Sequence, residues 1–383
     1  MYMQSHIRNR MNLWTVRYVI GTFLLLPGLI SCEYYQGPRE HVCIEDSVEK
    51  TVLIHTLYAD IALNPQSDAI LIELLEHPAV QRLKHVRQYG PWYYAIAPIE
   101  YTRFDHSIGV FALVRKFGGS LTEQVAALLH DASHTAFSHT GGYFFAKSDR
   151  AADDYQDACH EEFLRDSGLE KTLNKYGYTV ADIHHKNKVF TILEQKRPDI
   201  NADRFEYIVS GGLWENLITR EQAKDIIEDV VCAEGKWFFT DPTLAKKFAD
   251  LSLYMTEYTW GSACSCYMNR ALGHAMQRMA EKGDLAVHEV RFGRDDALWE
   301  RLSLYQDKEV AACLEKVTHC KEIITSRAAE YDIVVYPKFR GVDPLVKTKN
   351  TYQRLSQINT EFAQAHDALK QRLVKGLKVQ EQA

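Results

Sequence analysis

Apolar residues recur every three or four positions over most of this chain, and short polar stretches separate the periodic segments. That spacing places the apolar side chains on one face of an α-helix. It predicts two short helices between residues 68 and 90, interrupted before Pro78, and further helices over 107–117, 120–129, 160–177, 188–195, 203–210, 219–229, 241–259, 262–281, 293–319 and 351–375.

Strand character is confined to a few short segments. Residues 51–63 and 330–339 have it, and residues 230–239 predict a hairpin around Glu234 and Gly235. The sequence has neither the strand–helix alternation of parallel-sheet proteins nor a glycine-rich phosphate-binding loop. We therefore predict an all-α fold, a mainly helical bundle with minor β strands and one hairpin.

The composition adds little to this prediction. The chain has 383 residues, of which 46% are hydrophobic and 25% charged, and its net charge is -6. These values are typical of a globular protein large enough to bury a substantial core. The negative charge argues against a protein that coats nucleic acid or binds membranes through a basic surface.

The first residues predict an export signal. Arg8, Arg10 and Arg17 precede a short apolar run, Val19–Ile30, that ends at Ser31 and Cys32. A basic flank, a short apolar stretch and a small residue before a cleavage point are typical of such a signal.

The sequence LISC, residues 29–32, is similar to the lipobox of bacterial lipoproteins. This resemblance implies removal of residues 1–31 and a membrane lipid anchor at Cys32, on the periplasmic or surface side of a bacterial cell envelope. An uncleaved N-terminal anchor and a chance apolar segment are the alternatives. If the signal is misread, the protein is cytoplasmic.

The chain is thus predicted to have four parts. They are a signal peptide (1–31), a polar tether (32–50), a helical core (51–330) and a C-terminal strand-plus-helix extension packed on that core (331–383). Seven cysteines follow Cys32 in the sequence, and their irregular spacing predicts no disulfide framework. Export would permit some of them to form disulfides.

Candidate chemistry centres on LLHDASHTAFSH, residues 128–139. A buried charge is costly unless it is paired or bound to a metal, and imidazole and carboxylate groups are ligands for divalent cations. One helix cannot supply four such ligands, because only residues three or four apart share a face. A ligand set drawn from separate helices of a bundle is the geometric solution.

Two further motifs belong with this stretch: TRFDHSIGV (102–110) and ADRFEYIV (202–209). Together the three contain the pattern H…HD…D, which resembles the HD-domain metal phosphohydrolase superfamily. PAVQRLKHVRQYG (78–90) and LSLYQDKEVAACLEK (302–316), the latter with a helix opening at Gln306-Asp307, narrow the resemblance. They are similar to the deoxynucleoside-triphosphate (dNTP) triphosphohydrolase branch, which includes dGTPases and the sterile-alpha-motif HD protein, over about residues 51–345.

The resemblance implies roles for ten residues and one divalent ion, whether Mg, Mn, Fe, Co, Ni or Zn. The metal ligands would be His106, His130, Asp131 and Asp203; the catalytic histidines His134, His139 and His160; and the substrate-binding residues Arg103, Arg204 and Tyr207. An alternative for Asp203 is N-capping of the helix that follows it.

The implied reaction converts a dNTP and water to a deoxynucleoside and triphosphate. Because dNTPs are a cytoplasmic pool, the export signal favours a second hypothesis, an exported HD-type phosphatase or phosphodiesterase acting as a nucleotidase. A third is a catalytically weak nucleotide-binding lipoprotein. Relatives are often oligomeric, which implies a homo-oligomer, and no strong nucleic-acid signal is present.

One position departs from the family pattern. Relatives usually carry an acidic residue three positions after the equivalent of His139, where this chain has Gly142. Either a nearby acid takes over the orientation of a catalytic histidine or the chemistry is altered or slow; the candidate acids are Asp149, Asp153, Asp154 and Asp157. The pair His184-His185 matches no family motif and is predicted to lie in an exposed loop.

The lipid anchor can be tested directly. Because the thioether to diacylglycerol forms at the cysteine thiol, the Cys32→Ser variant is expected to lose all incorporation of [³H]palmitate that the unaltered protein shows in a bacterial host. Retention of the label by Cys32→Ser would contradict the anchor.

Overall fold

The computed structural model describes residues 42–46, 51–146, 149–323, 331–349 and 351–380. All of them belong to one compact unit. The predicted signal peptide and Cys32 lie outside the described residues. None of the helices among the described residues combines the length and the hydrophobicity that crossing a bilayer requires.

The predicted fold class is confirmed, because helices dominate and the strands are short. The helices are α1 (Ala69–Glu76), α2 (Pro78–Gln81), α3 (Trp92–Ala95), α4 (Arg103–Lys116), α5 (Leu121–Leu129), α6 (Thr140–Phe145), α7 (Asp149–Asp166), α8 (Leu169–Lys175), α9 (Ala202–Trp214), α10 (Arg220–Asp229), α11 (Pro242–Tyr258), α12 (Ala263–Glu281), α13 (Val287–Arg291), α14 (Asp295–Leu304), α15 (Lys308–Thr318), α16 (Cys320–Ile323), α17 (Leu355–Ile358) and α18 (Thr360–Lys375).

The strands form small sheets at the edges of the helical body. They are β1 (Val42–Asp46), β2 (Val52–Thr56), β3 (Asp60–Leu63), β4 (Val230–Ala233), β5 (Lys236–Phe239), β6 (Ile333–Val335), β7 (Leu345–Lys347), β8 (Tyr352–Arg354) and β9 (Leu377–Val379). Their orders are β1-β2-β3, β4-β5-β7-β8 and β6-β9, and all pairs are antiparallel except β5 with β7.

Polar side chains fix the helix ends that matter for the site. Thr102 and Asp105 form a reciprocal capping box at the start of α4, and Asn201 accepts a hydrogen bond from the backbone N–H of Arg204 at the start of α9. Asp307 caps α15 as the sequence predicts. Apart from its last turn, α4 is buried almost all round, which makes it the central helix of the bundle.

Two hydrophobic clusters each include residues of the loop that carries part of the predicted site. The larger one gathers residues of α1, α4, α5, α9 and α11, and the smaller one is built mainly on α12 and α15. The loop after α5 joins them, because Ala132 belongs to the larger cluster and Ala136 and Phe137 to the smaller. The motif is therefore anchored by apolar residues at both ends.

Several local predictions need correction. The segment 188–195 forms turns instead of a helix, because the buried Glu123 carboxylate accepts the backbone N–H groups of Ile192 and Leu193, both at 2.9 Å. Tertiary hydrogen bonds replace helical ones here. Residues 42–46 of the predicted tether form β1, whose Ile44 pairs with Ile54 of β2.

The C-terminal segment joins the helical body through both strands and helices. Strand β7 extends the β4-β5 hairpin through the pairs Phe238↔Leu345 and Phe239↔Val346. Helix α18 packs on α11, and β6 and β9 contact α12. A disulfide joins Cys264 of α12 to Cys320 of α16, and the two Cα atoms are 5.9 Å apart.

Gly142 has a structural reason in this chain. A Cβ atom at this position of α6 would lie 2.0 Å from the carbonyl oxygen of Ala152 on α7. Because the obstacle is backbone, it cannot move without separating the two helices. No acidic side chain fits at residue 142 while α6 and α7 stay packed in this way.

This contact predicts that Gly142→Ala lowers the free energy of unfolding by about 3 kcal/mol or more, the cost of overpacking a rigid contact. Gly212→Ala is the matched control, since its new Cβ would meet the ends of two flexible side chains, Leu251 at 2.6 Å and Ile218 at 3.3 Å, and no backbone atom. We expect the control to lose less than about 1 kcal/mol, because both side chains can move and alanine favours a helix. Urea denaturation measures both, and equal losses would refute the explanation.

Candidate metal centre and cavity

The four predicted metal ligands come from three helix ends or turns that meet inside the bundle. His106 lies in the first turns of α4, His130 ends α5 with Asp131 directly after it, and Asp203 lies in the first turn of α9. The two histidines and Asp131 are buried, with 0%, 5% and 6% exposure. The Asp203 side chain is 35% exposed, so the cluster opens on its side.

The ligand atoms of three of these residues converge. The Nε2 atoms of His106 and His130 are 3.1 Å apart, and Asp203 Oδ1 lies 3.2 Å and 3.8 Å from them. One atom from each residue lies within 4.8 Å of the others, so the three could hold one metal ion.

Asp131 reaches the same place and binds further groups. Its Oδ2 is 3.5 Å from His106 Nε2, and its Oδ1 is 3.6 Å from His130 Nε2. Arg103 donates a hydrogen bond to Oδ2 at 2.6 Å, and His134 Nε2 lies 3.4 Å from Oδ1. The structure thus brings all four predicted ligands together.

The outer hydrogen bonds of the histidines fit a cation at this point. His130 Nδ1 donates to the carbonyl oxygen of Ala127 at 2.8 Å, and His106 Nδ1 donates to the Glu206 carboxylate in a short hydrogen bond. With the proton on Nδ1, each Nε2 presents a lone pair. Two lone pairs and two carboxylates facing one point are the donor set that a divalent cation accepts.

The charges around His106 show how strongly this point attracts positive charge. Burial lowers the pKa of His106, but the charge of Glu206 and the hydrogen bond to Asp203 outweigh it and raise this pKa to about 10. Without a cation, His106 therefore carries a second proton on Nε2, and a metal ion bound there would displace that proton. Burial raises the pKa of Asp203, but the hydrogen bond and charge of His106 bring it to about 2. Both carboxylates at the cluster therefore stay ionised, since His130 and Arg103 also hold the pKa of Asp131 well below its ordinary range despite burial.

Sequence reasoning missed Glu206. Its carboxylate accepts hydrogen bonds from His106 and Tyr101, and Ser210 donates to it at 2.6 Å. A Cβ at Gly109 would lie 2.6 Å from Glu206 Oε1, so a glycine on α4 makes room for this carboxylate. One signal was available: Glu206 follows Asp203 by three positions, which places both on one helix face.

The loop after Asp131 carries His134 and His139 in a strained backbone. Phe137 and Ser138 adopt φ angles of 56° and 59°, which non-glycine residues rarely do. The buried Asp295 holds the Phe137 N–H at 2.6 Å, and burial raises the pKa of this carboxyl to about 7. Strain of this kind is typical of functional sites.

The two loop histidines lie side by side. Their ring centroids are 4.9 Å apart and the rings are perpendicular. Burial lowers the pKa of His134 to about 4 and that of His139 well below its ordinary value. Arg82 secures the loop, donating hydrogen bonds to the carbonyl oxygens of Ala132 at 3.0 Å and His134 at 2.5 Å.

The three predicted substrate-binding residues line a cavity next to the cluster. Arg204 donates from Nη1 to the carbonyl oxygens of Gln195 and Asp199, at 2.7 Å and 2.8 Å, and so also holds the preceding loop. Tyr207 is 8% exposed, and its buried hydroxyl has no hydrogen-bond partner in the described part of the chain. Arg103 is engaged by Asp131 and Ser138.

The cavity has a volume of about 480 Å³, which suits a nucleotide-sized ligand. Its wall includes His130, Asp131, His134, His139 and Asp203. Cationic side chains from two other regions complete it; they are Lys186, Lys196 and Arg197 from the loop before α9, and Lys338 and Arg340 from the C-terminal segment.

The positions of His160 and His185 relative to the cavity differ from the sequence prediction. His160 is buried on α7 but does not line the cavity, whereas His185, predicted in an exposed loop, is 8% exposed and does. The prediction for His185 was wrong because a pair of polar residues carries no signal of tertiary burial. His184, its neighbour, is half-buried.

The candidate replacements for an acid at position 142 have other partners. Asp154 accepts a hydrogen bond from Lys338 at 2.8 Å, and Asp157 binds His185 and Lys186. The side chains of Asp149 and Asp153 lie outside the described residues. Among the described side chains, none of the acids makes a hydrogen bond to the ring of His139.

The sequence of this chain is similar to an HD-domain family model and to several known proteins. Residues 103–205 match the HD domain. The chain is 28% identical to the uncharacterized protein YdhJ of Bacillus subtilis over 81% of its own length and 94% of that protein. It is 26% identical to the metal-dependent phosphohydrolase cns2 of Cordyceps militaris over 73% of its own length and 80% of that protein.

A more local similarity joins the chain to a protein of known substrate class. It is 30% identical to the deoxynucleoside triphosphate triphosphohydrolase SAMHD1 of Bos taurus, over 25% of its own length and 18% of that protein. A match of this length supports the HD superfamily.

Glu206 offers a test of the metal centre that leaves the ligands intact. Glu206→Gln removes the charge that orients His106, and we expect metal affinity to fall about 10- to 100-fold. Titration calorimetry with Mn²⁺ measures this.

Glu123→Gln is the matched control, because Glu123 is also a buried carboxylate but accepts backbone N–H groups of the 188–195 segment. Its affinity for Mn²⁺ should stay within about twofold of the unaltered protein. If Glu206→Gln binds Mn²⁺ as tightly as this control, the orienting role is wrong.

Proposed function

We propose that this chain, an HD-domain protein of the metal-dependent phosphohydrolase type, hydrolyses a dNTP to a deoxynucleoside and inorganic triphosphate. The observation that carries the proposal is the convergence of His106 Nε2, His130 Nε2 and Asp203 Oδ1 beside a cavity lined with cationic side chains. The similarity to SAMHD1, whose name specifies dNTP triphosphohydrolysis, supports the choice of substrate.

In this reaction a water oxygen forms a bond to the α-phosphorus and the bond from that phosphorus to the 5′ oxygen of the deoxyribose breaks. A divalent ion held by His106, His130, Asp131 and Asp203 would supply Lewis-acid stabilisation of the phosphate charge. The proton lost by water ends on the leaving 5′ oxygen, so the products are a neutral alcohol and triphosphate.

The protein side chains supply proton transfer and charge. His134 and His139 lie next to the cluster at the cavity wall, where an imidazole can accept the proton from water and return it to the leaving oxygen. Arg204, Arg197 and Arg340 are placed to neutralise the phosphate chain. Tyr207 has an unpartnered hydroxyl that can donate to a phosphate or accept from the sugar.

A second candidate is an exported nucleotidase, a phosphatase or phosphodiesterase of the same HD type. The N-terminal export pattern ending at Cys32 favours it, because a lipid-anchored protein on the outer side of a cell membrane would not meet the dNTP pool. A nucleotide-binding lipoprotein with little turnover is the third candidate, and Gly142 favours it.

The products of hydrolysis separate these candidates. With Mn²⁺ or Mg²⁺, the purified protein is expected to release inorganic triphosphate and deoxynucleoside from at least one dNTP, measured by ion chromatography. Release of orthophosphate from nucleoside monophosphates alone would favour the nucleotidase, and thermal stabilisation by nucleotides without turnover would favour the binder.

Asp203→Asn should lower kcat/KM by at least about 100-fold, since it removes a ligand worth several kcal/mol in the transition state. Asp182→Asn is the control, because Asp182 is exposed, its carboxylate accepts hydrogen bonds from the nearby Thr179, and it does not line the cavity. Unchanged turnover in Asp203→Asn would exclude a metal-dependent reaction at this cluster.

A further inference from the structure

The segment 290–295, which joins α13 to α14, packs against the loop that carries His134 and His139. The backbone N–H of Ala136 in that loop donates to the carbonyl oxygen of Val290 at 3.1 Å. This segment lies outside the part of the chain that matches the HD domain. A region distant in sequence therefore completes the surroundings of the two histidines.

The buried Arg82 side chain connects the start of this loop to the same segment. Its Nη2 donates to the carbonyl oxygens of Ala132 and His134, at 3.0 Å and 2.5 Å. Its Nη1 donates to the carbonyl oxygen of Gly293 at 3.1 Å. The guanidinium group thus spans the gap between the loop and the 290–295 segment.

Asp295 connects the end of the loop to a second loop, residues 86–90. Its side chain is fully buried, its Oδ1 accepts the backbone N–H of Phe137 at 2.6 Å, and its Oδ2 accepts that of Arg87 at 2.8 Å. A buried carboxylate is costly unless its oxygens have hydrogen-bond partners. Each oxygen here takes one backbone N–H, so the position of each loop depends on the same carboxylate.

The two loops that Asp295 joins also touch each other beside the cavity. A Cβ atom at Gly90 would lie 2.5 Å from the carbonyl oxygen of Phe137, so a residue without a side chain is needed for this approach. The hydroxyl group of Ser138 lies 3.4 Å from the carbonyl oxygen of Gln88. Residues of both loops line the cavity, so a shift of either loop would change its wall.

Aromatic rings pack around Phe137, a loop residue with a left-handed backbone. The ring of Tyr94 lies 5.9 Å from that of Phe137, at an angle of 73°, and stacks on Trp299 of α14 at 4.2 Å. These rings restrict the side chain of Phe137, whereas Asp295 restricts its N–H. Helix α14 therefore helps to hold this strained residue through both a carboxylate and an indole ring.

We propose that Asp295 is a positioning residue that holds His134 and His139 where they can transfer protons. Asp295 does not line the cavity, so it acts through the backbone of the loop. Displacing a catalytic group by about 1 Å can slow a reaction roughly 100-fold. This inference rests on the proposed function only in assigning proton transfer to the two histidines.

The Asp295→Asn variant tests this role, because asparagine has nearly the size of aspartate but only one side-chain oxygen. One of the two backbone N–H groups would then face an amide NH₂ group. We expect kcat for a nucleotide that the unaltered protein hydrolyses to fall about 10- to 100-fold, since the loop histidines shift. The affinity for Mn²⁺, measured by titration calorimetry, should stay within about threefold, because the four ligands lie on α4, on α9 and at the end of α5.

Asp343→Asn is the matched control. Asp343 is also buried, its Oδ1 accepts the backbone N–H of Ser356 at 3.0 Å, and it does not line the cavity. We expect this variant to leave kcat within about twofold of the unaltered protein, because the bond that it weakens belongs to the C-terminal segment. Thermal melting compares the stability of both variants and so separates a general loss of structure from a shift of the histidines.

Hydrogen exchange of the Mn²⁺-loaded protein tests the same role without turnover. Peptides covering residues 132–140 should exchange at least about tenfold faster in Asp295→Asn, whereas the exchange of α9 should be unchanged. If Asp295→Asn does not fold, Arg82→Lys replaces it, because one ammonium group cannot span the carbonyl oxygens that the guanidinium group reaches. The same changes in exchange and in kcat are expected from that variant.

The outcomes for the two proposals differ. Faster exchange over residues 132–140 in a protein that hydrolyses no nucleotide would contradict the proposed reaction and support the positioning of this loop by Asp295. Four results would overturn the inference: unchanged exchange in Asp295→Asn, a kcat of this variant within about twofold of the unaltered protein, a loss of Mn²⁺ affinity as large as the loss of kcat, or an equal loss of kcat in Asp343→Asn.

Discussion

The arrangement of the helices depends on four side chains, His106, His130, Asp131 and Asp203, whose close approach a bound cation would stabilise. The rings of His106 and His130 and the carboxylates of Asp131 and Asp203 lie within a few ångströms of one another, and all but Asp203 are buried. Like groups are held this close only where surrounding hydrogen bonds fix them and a cation compensates. Ala127 and Glu206 provide that fixation by taking the outer ring nitrogens of His130 and His106.

The packing of the bundle serves this geometry. Helix α4 is buried nearly all round so that His106 can reach the centre, and a glycine at 109 leaves space for the Glu206 carboxylate. The loop after α5 bridges two hydrophobic clusters, and its left-handed residues Phe137 and Ser138 are held by Asp295 and Arg103. The strain in that loop is tolerated because both of its ends are anchored in apolar cores.

The cavity is assembled from parts that are distant in the chain. The HD segment provides the acidic and imidazole groups, whereas the loop before α9 and the C-terminal segment provide much of the positive charge. Acidic groups at the metal cluster and cationic side chains elsewhere on the cavity wall suit a phosphorylated ligand that binds through a cation. Pairing of β7 with β5 holds the C-terminal segment in its place on the body.

The sequence by itself determined the helical class, most helix positions and the residues that meet at the centre. The helices follow from local rules, since 3.6-residue periodicity and a helix opening at Asp307 need no knowledge of distant contacts. The residues at the centre were named by the resemblance of the motifs to the HD superfamily. The helix predicted over 188–195 was wrong, because Glu123 on another helix accepts hydrogen bonds from backbone N–H groups of this segment.

Only the tertiary structure decided which polar residues are buried and against what. Glu206 and His185 look like ordinary surface residues in the sequence, yet each is buried against a partner far away in the chain or on another helix. The same holds for Gly142, whose neighbour Ala152 becomes a steric limit only when α6 and α7 pack. Burial, pairing and close approach depend on three-dimensional neighbours, and periodicity along one chain contains no information about them.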